Sequence, residues 1–201
     1  MMIIPGLEPD VRMHSRVLMQ PLAAPRCGFM LHYDDSSSDA SALEWFHDPR
    51  CTNGYTWLVL DDGRVVELAD PGMRTPHAGP CKTLNANSCF YGIAAATNGS
   101  VCATERQLDA IARVCTADSR HHHWVNPVIV GHDEQAVWTA LYTTRRELWG
   151  KTGRKVDPGG PRADGRKIID LDEIRRRVGH PERSEGSDCS HQPTEPTNAG
   201  K

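Results

Sequence analysis

His32, His132 and Asp157 are the residues of this chain whose types and local settings best suit chemistry. His32 comes near the end of a short apolar run, Cys27–Tyr33 (CGFMLHY), which opens onto the polar stretch Asp34–Ser38. His132 follows a second apolar run, Val125–Val130, within VIVGHDE. Asp157 lies in the glycine-rich GKTGRKVDPGG, with Lys155 two residues before it. Strand ends are where α/β proteins present functional side chains, and two imidazoles with one carboxylate are a ligand set for catalytic zinc. That set leaves the fourth position open for water, as a zinc hydrolase requires. Spacing alone does not show that the ligands meet, because His32 and His132 stand 100 positions apart.

Elements that can position these residues are legible on either side of them. Cys27–Tyr33 reads as a buried strand, and Ser38–His47 as a helix capped by Ser38, with Ala42, Trp45 and Phe46 at helical spacing. Tyr55–Leu60 and Arg64–Leu68 are strand-like runs joined by Asp61-Asp62-Gly63, a hairpin in which Gly63 tolerates the positive φ of a tight turn. Phe90–Thr97 reads as a central strand of small residues. Thr104 with Gln107 forms a capping box ahead of the stripe Leu108, Ile111, Ala112 and Cys115. Val125–Val130 is a further buried strand, with Pro127 arguing for a sheet edge or an irregular start. Residues 133–149 are expected to be partly helical, and Asp170 caps a final helix, DLDEIRRRV. Strands alternating with helices predict an α/β fold with a central sheet.

The 201 residues have room for one domain, expected over 27–178 after a proline-broken leader, 1–26. From Gly179 onward the chain has no Ile, Leu, Val, Met or aromatic residue, so 179–201 is expected to be a disordered tail. A formal charge of −3 gives no electrostatic reason to expect nucleic acid as a partner. No apolar run approaches the roughly 18–20 residues of a membrane helix, and Pro5, Glu8 and Asp10 break the start of the chain where a signal peptide would be apolar. A cytoplasmic protein without membrane insertion is the expectation. The seven cysteines include no C-x-x-C pair; Cys81 and Cys89 can close a short loop in oxidising surroundings, and idle thiols are the blander expectation. The His121-His122-His123 run reads as a solvated turn, and Arg175–Arg177 as a solvated helix face. Most of the tryptophans are expected in the core, with Trp138 and Trp149 the better candidates for stacking on sugars.

Six segments in order, MLHYDD, GYTWLVLDDGRVVEL, TPHAG, NSCFYGIAAATNG, VIVGHDE and GRKVDPGG, resemble the zinc-dependent N-acetylmuramoyl-L-alanine amidases of type 2. That family includes phage lysozyme-type amidases, muropeptide-recycling amidases and the peptidoglycan recognition proteins. The resemblance covers roughly 27–177 and implies a single domain, a central mixed β-sheet flanked by α-helices, with zinc in a groove along one face. It implies His32, His132 and Asp157 as zinc ligands and Lys155 as the catalytic lysine. Tyr55 resembles the active-site tyrosine of the phage branch, and His77 matches the histidine of the family's HAG motif, a substrate-groove residue and not a ligand.

The implied reaction is hydrolysis of the amide between muramic acid and L-alanine in peptidoglycan or a muropeptide. Zinc would make water acidic enough to supply a nucleophile near neutral pH, and Lys155 is suited to stabilise the oxyanion. Tyr55 could hold the attacking water or donate to the same oxyanion. Recycling amidases carry a glutamate in the strand Gly-Ile-Glu, where this chain has Gly92-Ile93-Ala94; the group that protonates the leaving amine is therefore open. Gln135–Gly153 is an insertion relative to the compact form of the family. A monomeric phage-type endolysin, acting on the wall after release, is the leading expectation. A cytoplasmic recycling amidase and a peptidoglycan-binding protein without catalysis are the alternatives.

Overall fold

The strand β2, Gly28–Tyr33, sends alternate side chains to opposite faces of a sheet, and this parity organises the domain. The computed structural model describes residues 2–14, 19–22, 25–78, 85–125, 127–132 and 167–179. Before β2 comes β1, Val11–Arg12; after it follow α1 (Asp39–His47), β3 (Trp57–Val59), β4 (Val65–Glu67), α2 (Ala86–Cys89), β5 (Phe90–Ala95), α3 (Glu105–His121), β6 (Val128–Gly131) and α4 (Leu171–Val178). The six strands form one mixed sheet in the order β1-β4-β3-β5-β2-β6. Only the β3–β4 hairpin is antiparallel; β1–β4, β3–β5, β5–β2 and β2–β6 are parallel. The α/β architecture expected from the alternating pattern is the one observed.

One face of the sheet lies under α3 and α4. Phe29, Leu31, Trp57, Val59, Tyr91 and Ile93 pack there against Leu108, Ile111, Val114 and Ile174. Several of these side chains are fully buried, and each large one contributes about 1.5–3 kcal/mol relative to exposure. The capping box starts α3 as expected: the Gln107 amide N–H donates to Thr104 Oγ1 and the Thr104 amide N–H to Gln107 Oε1. The Gln107 side chain also donates to the carbonyls of Val59 and Ala96, pinning the helix start to two strand ends.

The opposite face carries Leu58, Leu60, Val66, Leu68, Ala94 and Ala96 against Ala42 and Phe46 of α1. Ser38 caps α1 through a reciprocal pair with Ser41. The Asp-Asp-Gly turn joins β3 to β4, and Gly63 has φ +85°. Position 11–12 of the leader joins the sheet as an edge strand beside β4. Pro127 precedes β6, the other edge strand, in keeping with its missing N–H.

Two sequence expectations change in the structure. Arg175 is not on a solvated face: it is buried, and its guanidinium donates twice to the Ile129 carbonyl of β6. The physical reason is that an edge strand lacks an outer neighbour, so its carbonyl takes a side-chain donor instead. Arg177, also well covered, ties α4 to Glu105 and Asp109 of α3. His122 is likewise more than a solvated turn residue. Its Nε2 lies 2.7 Å from the Tyr91 hydroxyl, and its ring stacks on Trp124. Trp57 is a core residue, whereas Trp45 is exposed; Trp138 and Trp149 lie outside the described residues, as does the partly helical stretch expected from 133.

Candidate active site

The parallel pairing of β2 with β6 solves the problem that spacing could not. Leu31 is level with Gly131, so the next residues along, His32 and His132, come side by side at the ends of adjacent strands. The His132 amide N–H donates to the Leu31 carbonyl at 3.1 Å, holding the register one step past the ladder. The two imidazole rings are 4.6 Å apart, edge to face, and both residues are buried. On the other side of β2, Ala94 of β5 is level with His32.

A third imidazole completes the cluster. His77, in the segment after β4, places Nδ1 3.1 Å from His32 Nε2, and its own Nε2 lies 3.2 Å from the Phe90 carbonyl. A carbonyl only accepts, so His77 Nε2 carries the proton and Nδ1 is left to accept from His32 Nε2–H. His32 is thereby held as the tautomer whose lone pair is on Nδ1. Burial, with further contributions from His32 and Arg26, holds His77 well below the usual histidine range, so the ring is neutral near pH 7. Gly92 makes room for it, because a Cβ at that position would sit 2.6 Å from His77 Cγ.

Tyr55 stands on the third side of His32, with ring centroids 4.9 Å apart, and the edge-to-face contact with Phe46 of α1 fixes its ring from behind. The structure therefore brings together four of the six residues singled out in the sequence: His32, Tyr55, His77 and His132. Lys155 and Asp157 lie outside the described residues.

Asp34 had no signal as a site residue beyond its place in a polar loop. Its Oδ1 accepts from the Thr97 and Ser36 amides, which fastens the end of β2 to the segment leaving β5, two residues past His32. Its Oδ2 is buried without a hydrogen-bond partner, and burial pushes the carboxyl up despite the amide donors. The Asp-x-Ser turn pattern was the readable part of this arrangement.

The donor chemistry fits part of a zinc site. Two buried imidazoles adjoin, one with its tautomer fixed by a neighbouring ring, as is usual where a histidine binds metal. Among the described residues no group of three or more His, Cys, Asp or Glu side chains is arranged to hold a metal. Asp157, the third ligand that the sequence resemblance implies, lies outside the described residues.

A mixed sheet covered on one face by a long helix, with imidazoles clustered at strand ends on the other, defines the class. The family profile for N-acetylmuramoyl-L-alanine amidases matches residues 24–160, and the chain belongs to that family. No curated protein sequence matches it significantly. Among solved structures, it is similar to an AmpD derivative at TM-score 0.61 and 18% identity, over 88% of this chain and 99% of that one. The endolysin amidase LysCS from Clostridium intestinale URNW aligns at TM-score 0.54 and 11% identity, over 88% of this chain and 99% of its own. Drosophila peptidoglycan recognition protein SA aligns at TM-score 0.51 and 14% identity, over 63% of this chain and 82% of its own. At such identities the likeness is one of fold.

Proposed function

We propose that this protein is a zinc-dependent N-acetylmuramoyl-L-alanine amidase that hydrolyses the amide between muramic acid and L-alanine in peptidoglycan, in the manner of a phage-type endolysin. The observation that carries the reading is the meeting of His32 and His132, 100 positions apart in sequence, as buried rings 4.6 Å from each other. His32, His132 and Asp157 would hold the metal, which when bound supplies Lewis acidity and a nucleophile at neutral pH.

The chain's own residues divide the remaining work. His77 orients His32 through the hydrogen bond described above and is itself anchored by the Phe90 carbonyl. The Tyr55 ring beside His32 puts a phenol at the site, suited to holding water or donating to a developing oxyanion. Lys155, two residues before Asp157, supplies the positive charge that stabilises that oxyanion. The methyl of Ala94, level with His32, offers no proton at the place where recycling amidases carry glutamate. That observation favours the endolysin branch over a recycling role. It also gives weight to a second reading, a peptidoglycan-binding protein without catalysis.

Mass spectrometry of peptidoglycan digested with the purified protein tests the proposal. Release of peptides with a free L-alanine amine, from glycan strands left intact, is the expected result. Binding to walls without any such product supports the second reading instead.

A further inference from the structure

Cys27 and Cys89 take no part in the chemistry proposed above. Cys27 immediately precedes β2 and Cys89 immediately precedes β5, two parallel strands in which Gly28 is level with Phe90. One position back the cysteines are neighbours. The Cys27 amide N–H donates to the Cys89 carbonyl at 2.7 Å, and each thiol is the largest influence on the ionisation of the other. Cα atoms of adjacent paired strands fall inside the separation that a disulfide spans, about 4.4–6.8 Å.

The two thiols are differently placed. Cys27 is exposed, while Cys89 is buried. The neighbouring Cys27 thiol, helped by the charge of Arg26, holds the Cys89 thiol below its ordinary range, while Cys89 and burial push Cys27 up. Of the two sulfurs, that of Cys89 is the one favoured as a thiolate.

We infer that Cys27 and Cys89 are a disulfide-forming pair that closes when the protein meets a small-molecule disulfide such as oxidised glutathione. The thiolate of the pair, favoured at Cys89, attacks the reagent's S–S bond and forms a mixed disulfide, expelling one reduced thiol. The Cys27 sulfur, giving up its proton, then displaces the second reduced thiol, and the Cys27–Cys89 bond forms. Two thiol hydrogens leave as protons on the released thiols, and the reagent takes up the two electrons.

The bond would staple the starts of two central strands, at the end of β2 away from His32. The closed loop spans α1, the β3–β4 hairpin and His77, a long stretch of the unfolded chain. A cross-link of that length stabilises chiefly by restricting the unfolded state. The pair would leave the protein unstapled in a reducing compartment and stiffen it in an oxidising one. Cys81, the other candidate for pairing with Cys89, lies outside the described residues.

The test uses the full chain, incubated with oxidised glutathione, alkylated and digested with trypsin. The expected product joins peptide 27–50 to peptide 83–106, with fragment ions placing the bridge at Cys89 and not at Cys102. The melting temperature should rise on the order of 5–10 °C on oxidation. Cys27→Ser, an exposed site, should melt like the reduced wild type and show no rise. Recovery of both cysteines fully alkylated overturns the inference, as does Cys89 joined to another cysteine.

Discussion

The two faces of the sheet are built from alternate residues of the same strands, yet they serve opposite ends. Under α3, β2 and β5 present Phe29, Leu31, Tyr91 and Ile93, large side chains that leave no space. On the other face the same strands present His32, Gly92 and Ala94, and the missing volume is filled by the ring of His77. Parity along these strands thus puts a core of large side chains on one face and, among the smaller apolar residues of the other, a cluster of buried imidazoles. Substitutions should respect that division, with large losses of activity at small cost in stability on the site face.

The strongest expected effect is on the site face. His132→Ala should reduce zinc from about one per chain to near zero and abolish amidase activity, because two remaining ligands do not hold the metal. Its melting temperature without metal should stay near that of the metal-free wild type. Full zinc retention, measured by elemental analysis, would remove His132 from the ligand set.

Lys155→Ala should come next. An interaction made only as negative charge develops lowers kcat and not substrate binding, by on the order of a hundred- to a thousandfold. Zinc content should be unchanged. Near-normal kcat with zinc in place would make Lys155 an ordinary solvated lysine.

Gly92→Ala sharpens the comparison, because it adds one methyl group on the side where His77 lies. The new Cβ would start 2.6 Å from His77 Cγ, so the ring must move and its bond to His32 must stretch or break. Loss of a group that orients a metal ligand typically costs about 10–100-fold in metal affinity or activity. Zinc titration separates this from a folding defect: weaker zinc binding with a melting temperature lowered by only a few degrees is the expected pattern. A fall in stability with zinc affinity intact would show that His77 packs without positioning.

The sequence showed these faces unevenly, for physical reasons. Local signals were readable because they act within a few residues: the Asp-Asp-Gly hairpin, the Ser38 and Thr104 caps, and the apolar stripe of α3 all appear where expected. His32 and His132 were recognisable as strand-end residues, but their meeting depends on β2 pairing in parallel with β6, which no local pattern encodes. The His77–His32 bond and the Arg175–Ile129 contact are long-range in the same sense. The edge strand Val11–Arg12 is too short to show a period of two. Asp118 did leave a signal, three residues past Cys115 on the apolar stripe of α3, where a carboxylate is out of pattern.

Asp118 gives the smallest expected effect on activity, and it sets the two faces against each other. It is buried on the sheet-facing side of α3, accepts from the Trp57 indole N–H, and has a second oxygen without a partner. Burial pushes its carboxyl up to about 8, from an ordinary value near 3.8. Between those values the folded protein keeps a proton that the unfolded chain has released. Stability should therefore fall as pH rises from about 4 to 8, by at most ~1.4 kcal/mol per pH unit. His77 on the other face works in the opposite sense. Its folded pKa is depressed below 6.5, so its contribution is present above that value and is lost as pH falls. Melting curves of wild type and Asp118→Asn between pH 4 and 8 isolate the carboxyl, since His77 is common to both. The wild type should lose stability with rising pH relative to the variant, with the difference levelling off above pH 8. Parallel pH profiles would mean that Asp118 stays ionised beneath the helix, and that this face is less dry than its packing implies.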